Sequence, residues 1–437
     1  MTNDNILDNV VDNTPATAPK KSKRSIVVTQ EQRAAEIGSD APFIWSNGRA
    51  TEKGFNSVSN DWYAQTIDWD TLRQTVAVSQ QLNHDESHRW QDLQLECNGT
   101  IKLITPSGKK YQFTEHSQSQ LGNILGLGSR IFSLPQDIVE HDLLNQWLRN
   151  RWAKIVADKD QDDSTFLRFR DSKVRAFLSD RYLDLPHEYI LDLFAKMVPD
   201  GRVSHFSKDD LYSTYGDMLR FNILIPDSFR AEPDSEYGGM LTVGNSEIGN
   251  RRFSSLPSVF RAVCRNGCIW SQHKGEAFSK VHRGKAFDRD YFAWRLAKDI
   301  QEQLPLASEA IESLLKLRAC TFGSDSSLSQ AVVTLASKFS IPLTRDQQGA
   351  IIGRAGSSET MPVGDDAFCL IQAITETVQD RTRFDVYQQD MVEQEIGKLA
   401  IEWLTKPSSW NRFVEESSQV DLEKVVRITQ SSMSTTK

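Results

Sequence analysis

Apolar residues fall at helical spacing from Trp69 to Gln81, and further on the period drops to two. Gln94–Cys97, Ile101–Ile104 and Lys110–Phe113 read as short strands. Asn98-Gly99 supplies a hairpin turn between the first two, and Pro106-Ser107-Gly108 turns the second into the third. A three-stranded meander is expected. Leu121–Gly128 reads as a helix end and turn, and Leu134-Pro135-Gln136-Asp137 opens an amphipathic helix through Trp147 to Trp152. After an acidic linker, Phe166–Tyr182 alternates as two strands about a turn at Asp171-Ser172. In the first strand Leu167 and Phe169 share one face, opposite Phe166, Arg168 and Arg170. In the second, Val174, Ala176 and Leu178 oppose Lys173, Arg175 and Phe177.

A helix is expected from Pro186 to Met197 and a strand over Leu219–Ile225, followed by an acidic excursion over Asp227–Tyr237. Met240–Val243 is strand-like, Asn245–Glu247 a turn, and Pro257–Cys264 reads as a helix capped by Ser255 or Ser258. From Asp290 onward the period is helical: Asp290–Ser308, Ala310–Ala319, Leu328–Phe339, Cys369–Asp380 and Tyr387–Leu404. A Gly- and Ser-rich connection is expected over Thr344–Val363. The expected class is α+β, a mixed, mainly antiparallel sheet core with packed helices and a mostly helical C-terminal region. The divisions are a disordered tail (1–40), a small mixed domain with the meander (41–118), an α+β core (119–308), helices (309–430) and a frayed tail (431–437).

Charge sharpens this picture because it is segregated. The 437-residue chain carries a net −8, yet Arg251–Lys298 holds eleven Lys or Arg against three acids, net +8. The same segment carries Phe253, Phe260, Trp270, Phe278, Phe287, Tyr291, Phe292 and Trp294. Cations for phosphates and flat rings for bases are what a single-stranded nucleic acid needs. Residues 301–437 hold nineteen acids and thirteen bases. No apolar run reaches the ~20 residues of a membrane span, and the polar, acidic start MTNDNILDNVVDN is unlike a secretory signal, so the cytoplasm is the expected location. Five scattered cysteines then read as thiols, without a disulfide frame.

Several motifs invite a chemical reading. His84 and His88 stand four apart in a segment read as a polar loop with no third ligand, and Cys264-x3-Cys268 with His273 and His282 has zinc-type ligands in an apolar run. Neither is assigned a metal. LGNILGLG lacks the phosphate-loop order, and Ile351-Ile352-Gly353-Arg354-Ala355-Gly356 copies the Ile-Gly-x-x-Gly loop of KH domains without the strands around it. Asp171, Asp180, Asp184 and Glu247 lie among arginines, for which ion pairing is the expected role. No catalytic residue and no cofactor is assigned.

Three blocks carry a resemblance. They are Leu134-Pro135 with Asn145-x-Trp147-Leu148; Val174-Arg175-Ala176-Phe177-Leu178-Ser179-Asp180-Arg181-Tyr182; and Asn245-Ser246-Glu247-x-Gly249 with Phe260-Arg261-Ala262-Val263-Cys264-Arg265-Asn266-Gly267. Together they resemble the phage/plasmid-like family known as domain of unknown function 932, over roughly residues 120–400, with a departure at Leu183–His187. The resemblance implies a mobile-element setting and no agreed catalytic residue. The expectation is a DNA-metabolism protein that binds single strands, by analogy an annealing or recombination accessory factor that self-associates. Arg251, Arg252, Arg261 and Arg265 would grip phosphates and Phe253 and Trp270 would stack. Asn266 would join them, and Arg175 and Arg181 would extend the groove. The alternatives are a metal-dependent nuclease or hydrolase using Asp180, Glu247 and His273, and a counter-defence protein that binds a host protein.

Overall fold

The computed structural model describes residues 66–434 except 128–131, 133–140, 180–181, 198–202, 205–216, 233–234, 262–265, 270–277, 281–288, 324–325, 358–363, 381 and 385. The expectations for residues 1–65 lie outside the described residues. The fold is α+β, with residues 42–437 forming one compact unit.

Two sheets carry the first two thirds. The six-stranded sheet has the order β2-β6-β7-β5-β4-β3. Its strands are β2 (Asn83–Arg89), β3 (Gln94–Asn98), β4 (Thr100–Ile104), β5 (Lys110–Phe113), β6 (Ser164–Arg170) and β7 (Lys173–Ser179). The expected meander is present: Asn98 pairs with Thr100 around Gly99, at φ 76°, and Gly108 closes the next turn at φ 78°. It is no separate domain, because β5 pairs in parallel with β7 (Phe113 with Val174). Helices α2 (Glu115–Leu125) and α3 (His141–Ala157) cover one face, burying Leu121, Leu125, Leu148 and Trp152 against Leu95, Leu103, Leu167 and Phe169. α2 ends on Gly126 at φ 73°, and the Arg151 guanidinium lies where a side chain there would project.

The seven-stranded sheet has the order β1-β8-β9-β10-β11-β12, with β13 also on β11. These are β1 (Thr66–Ile67), β8 (Val203–Ser204), β9 (Met218–Glu232), β10 (Ser235–Ser246), β11 (Phe253–Arg261), β12 (Asn266–Ile269) and β13 (Phe278–Lys280). The acidic excursion expected over Asp227–Tyr237 is instead the far end of a long hairpin, in which pairing shifts register between Gly239 and Tyr237 and resumes to Glu232 and Ser235. Pro257–Arg261 is strand, not helix. Pro257 stands where the outer side of β11 is unpaired, because β13 takes Phe253–Ser255 and β12 takes Ser258–Arg261. Leu219, Phe221 and Ile223 of β9 pack against α1 (Trp69–Gln80), α4 (His187–Met197) and the first half of α5 (Arg289–Lys316). α1 begins on Asp68, whose side chain accepts from the Thr71 amide at 2.7 Å.

The C-terminal region is helical, as expected: α6 (Leu328–Lys338), α7 (Arg345–Ser357), α8 (Ala367–Thr377), α9 (Val386–Thr405), α10 (Pro407–Ser418) and α11 (Leu422–Ser434). The connection expected over Thr344–Val363 is largely α7. Thr344 and Gln347 form a capping box there, and Ile351 is fully buried, so the KH-like motif is helix and no loop. The tail expected to fray after Gln430 continues α11 as far as Ser434, and residues 435–437 lie outside the described residues. α8 is buried along its whole length, and Trp403, Trp410 and Phe413 pack against one another at tilted and edge-on angles in the same core. No helix among the described residues is long and apolar enough to cross a membrane.

Candidate functional site

The two sheets meet where the β6–β7 hairpin touches the open end of the β9–β10 ladder, and a backbone irregularity prepares that contact. Arg168 pairs with Ala176 and Phe169 with Val174, so Arg175 is an extra residue in β7, a β-bulge. Beyond the bulge the alternation reverses. Val174 therefore shares the α2/α3 core with Phe177, while Ala176 and Leu178 pack with Ile248 on the opposite side. The strict alternation expected for this strand fails here. The bulge places Arg175 among carboxylates, away from Phe177.

Those carboxylates are positioned by strand register. Ser246 pairs with Met218, and the Glu247 amide donates to the Asp217 carbonyl at 3.1 Å, so Glu247 and Asp217 stand opposite each other at the ladder end. Like charges facing across a ladder repel. Arg175 answers both: its Nε donates to Asp217 Oδ1, and its Nη2 donates to Glu247 Oε2 at 3.3 Å. Arg170 adds a 3.1 Å contact to Asp217 and is itself oriented by Asn83 at 2.9 Å. Arg175, Asp217 and Glu247 are all buried.

Glu247 is the hub. Gln80 Nε2 (2.8 Å) and the His187 amide (2.9 Å) donate to Oε1, while Arg175 donates to Oε2 and Arg168 Nη1 stands 3.8 Å from it. Burial alone would raise this carboxyl. The charge of the His187 ring, the His187 amide, Arg175 and Arg168 outweigh it and pull Glu247 down to about 2. The His187 Nδ1 lies 4.0 Å from Glu247 Oε1 and 3.0 Å from the Asn245 side-chain amide. Burial pushes Asp217 above the usual carboxylate range in spite of its two arginines.

Arg168 occupies the next layer. Its side chain is 4% exposed and donates through Nη2 to Asp184 Oδ1, with Asp85 Oδ2 3.6 Å from the same nitrogen. Tyr182 and Phe166 lie against its guanidinium at 5.6 and 5.7 Å. Asp184 and His187 come from the segment where the sequence departs from the resemblance. Above Arg168 opens a cavity of about 440 Å³, lined by Gln80, Asn83, Asp85, Arg168, Asp184 and Glu247 among others. Asp85 accepts no hydrogen bond among the described residues. Burial, then the neighbouring Asp184 and Glu247, raise its carboxyl against the pull of Arg168 and Arg175.

The groove expected from the sequence is not assembled from the described residues. Arg175 is consumed as above. Arg251 is buried and bonded to Asp390 of α9 at 2.7 Å, next to the Arg220–Glu393 pair. Arg261 is buried, and Phe253 is fully buried with its ring edge-on to Phe292 at 5.2 Å. Among the named cations that are described, Arg252 alone is exposed. Arg181, Arg265 and Trp270, and the side chain of Asn266, lie outside the described residues, as do Asp180, Cys264, His273 and His282. His84 and His88 sit on strand β2, not in a loop, each facing Glu86 (3.8 and 2.7 Å). Among the described residues no three His, Cys, Asp or Glu side chains are grouped to hold a metal. The ion pairing expected for Asp184 and Glu247 is found.

Asp85, Asp217 and His187 were not marked by any motif, and only the register of finished sheets brings them together. Comparison with protein-family models, with curated proteins and with solved structures returns no match.

Proposed function

We propose that this chain binds a small polar ligand in the cavity between the two sheets. The observation that supports this best is the cavity wall, where charged and amide side chains from α1, β2, β6, β7, the approach to α4 and the end of β10 converge on about 440 Å³. That volume is within the range of small-molecule sites. The wall is already built: Arg168 and Arg175 are fixed by carboxylates, and Glu247 by three donors and the nearby Arg168 charge, so binding orders few further side chains. A thermal-shift screen of amines, sugars, nucleosides and nucleotides tests the reading. At least one compound class stabilises the wild type saturably and fails to stabilise Ala77→Trp, which fills the cavity mouth. A screen with no such class refutes it.

A second reading keeps the partner expected from composition: single-stranded nucleic acid bound through the basic Arg251–Lys298 segment, in the mobile-element setting that the resemblance implies. The exposure of Arg252, just before β11, and of Arg289, at the start of α5, favours this. Affinity for a fluorescent single-stranded oligonucleotide falls steeply with salt in this reading. The salt slope shrinks by about one unit per cation in Arg252→Glu and Arg289→Glu. A slope unchanged by both substitutions removes it.

A further inference from the structure

We propose that the occupant of the cavity is an organic cation, an amine or guanidinium, received by Asp85 and Asp184; this rests on the cavity being the binding site. The wall holds two arginines against four acids, Asp85, Asp184, Glu188 and Glu247. The arginines are not available to an anion. Arg175 is spent on Asp217 and Glu247, and Arg168 is 4% exposed, clasped by Asp184 and laid against two rings. A phosphate would therefore meet a net negative wall with its cations turned away.

The acids are placed the other way. Asp85 and Asp184 approach the same nitrogen of Arg168 from opposite strands of chain, and they remain 36% and 51% exposed. Arg168 takes one oxygen of Asp184, and Asp85 accepts no hydrogen bond among the described residues. The carboxylates are not grouped as metal ligands, but an extended donor with several N–H groups can reach both. Gln80 and Gln81 offer amide carbonyls to the remaining donors, while the Asn83 carbonyl already accepts from Arg170.

Occupancy should also be linked to protons. Asp85 faces Arg168, Arg175, Asp184 and Glu247, with His84 and Glu188 on the same wall, and its carboxyl is raised in the empty cavity. A bound cation favours its charged form, so affinity falls as the pH drops through the Asp85 titration.

Calorimetry with agmatine as the probe, 1,4-butanediol as the uncharged control and adenosine monophosphate as the anion decides the matter. Agmatine binds the wild type, the diol does not, and Asp85→Asn and Asp184→Asn each weaken agmatine by about ten- to hundredfold, the range for a hydrogen bond to a charged group. Melting curves establish that both variants fold, and Ala77→Trp blocks the probe with the charges intact. If the nucleotide binds, is blocked by Ala77→Trp, and agmatine does not bind, the cavity reading stands and the cation inference falls. Agmatine binding that survives both Asn substitutions also overturns it. If no probe binds the wild type, the cation inference falls, and the broader screen alone decides the cavity.

Discussion

Replacing Arg175 by Met keeps an unbranched apolar stem and removes the charge that separates two facing, buried carboxylates. Breaking a buried pair by deleting one partner costs about 3–5 kcal/mol. Glu247 gives a second gauge. Its displacement from 4.5 to about 2 corresponds to roughly 3 kcal/mol of stabilisation, of which Arg175 supplies a share behind His187. Asp217, bonded to Arg175 through Nε, adds its own loss, although Arg170 at 3.1 Å remains to it. The expected cost at neutral pH is therefore about 3 kcal/mol, read from urea unfolding followed by tryptophan fluorescence. The pH profile adds a sign. A depressed carboxyl contributes fully above its unfolded value of 4.5, and the contribution is lost as the pH falls towards 2. Arg175→Met should flatten that acid limb, and Arg175→Met with Asp217→Asn should be more stable than Arg175→Met alone. A cost below about 1 kcal/mol, the value of an exposed pair, would show that Arg175 is solvated and that the hub is wrongly described.

Three further outcomes can be checked. A β-carbon on Gly244 would lie 2.3 Å from the Arg251 guanidinium carbon, so Gly244→Ala should cost about 1–3 kcal/mol in unfolding experiments, and less in an Arg251→Met background. Asp85 has a raised carboxyl, so its charged form opposes folding as the pH climbs past its titration. Asp85→Asn should then melt higher than the wild type at pH 7 while losing the cation probe. Ser327→Ala removes one half of the capping box of α6 and should lower stability by about 1 kcal/mol with no effect on any ligand.

Local chemistry accounts for what the sequence made legible. The Asn98-Gly99 and Pro106-Ser107-Gly108 turns demand positive φ at glycine and are where they were expected. The α1 and α4 periods likewise survive intact. The errors arise where tertiary context overrides local pattern. Pro257 suggested a helix start, but a gap between two partner strands accommodates it in a sheet. Thr344–Val363 looked like a connection because of its glycines and serines, yet the capping box and the burial of Ile351 carry a helix through Arg345–Ser357. Among the described residues, two cations expected to line a groove, Arg175 and Arg251, are paired for a related reason. Composition counts cations without their partners, and Asp390, which neutralises Arg251, lies 139 residues away in sequence. The bulge at Arg175 was equally invisible, since it depends on register against β6.

The order of the six-stranded sheet has a consequence for synthesis. β2 and β5 are made early, but each must wait for a strand of the β6–β7 hairpin to arrive between them. A nascent chain released before Ser179 would expose two unprotected edges and lack the hairpin's contribution to their shared core. Truncations inside the hairpin should therefore precipitate on expression, and the slowest step in refolding the intact chain should be insertion of a late-made ribbon between two waiting strands.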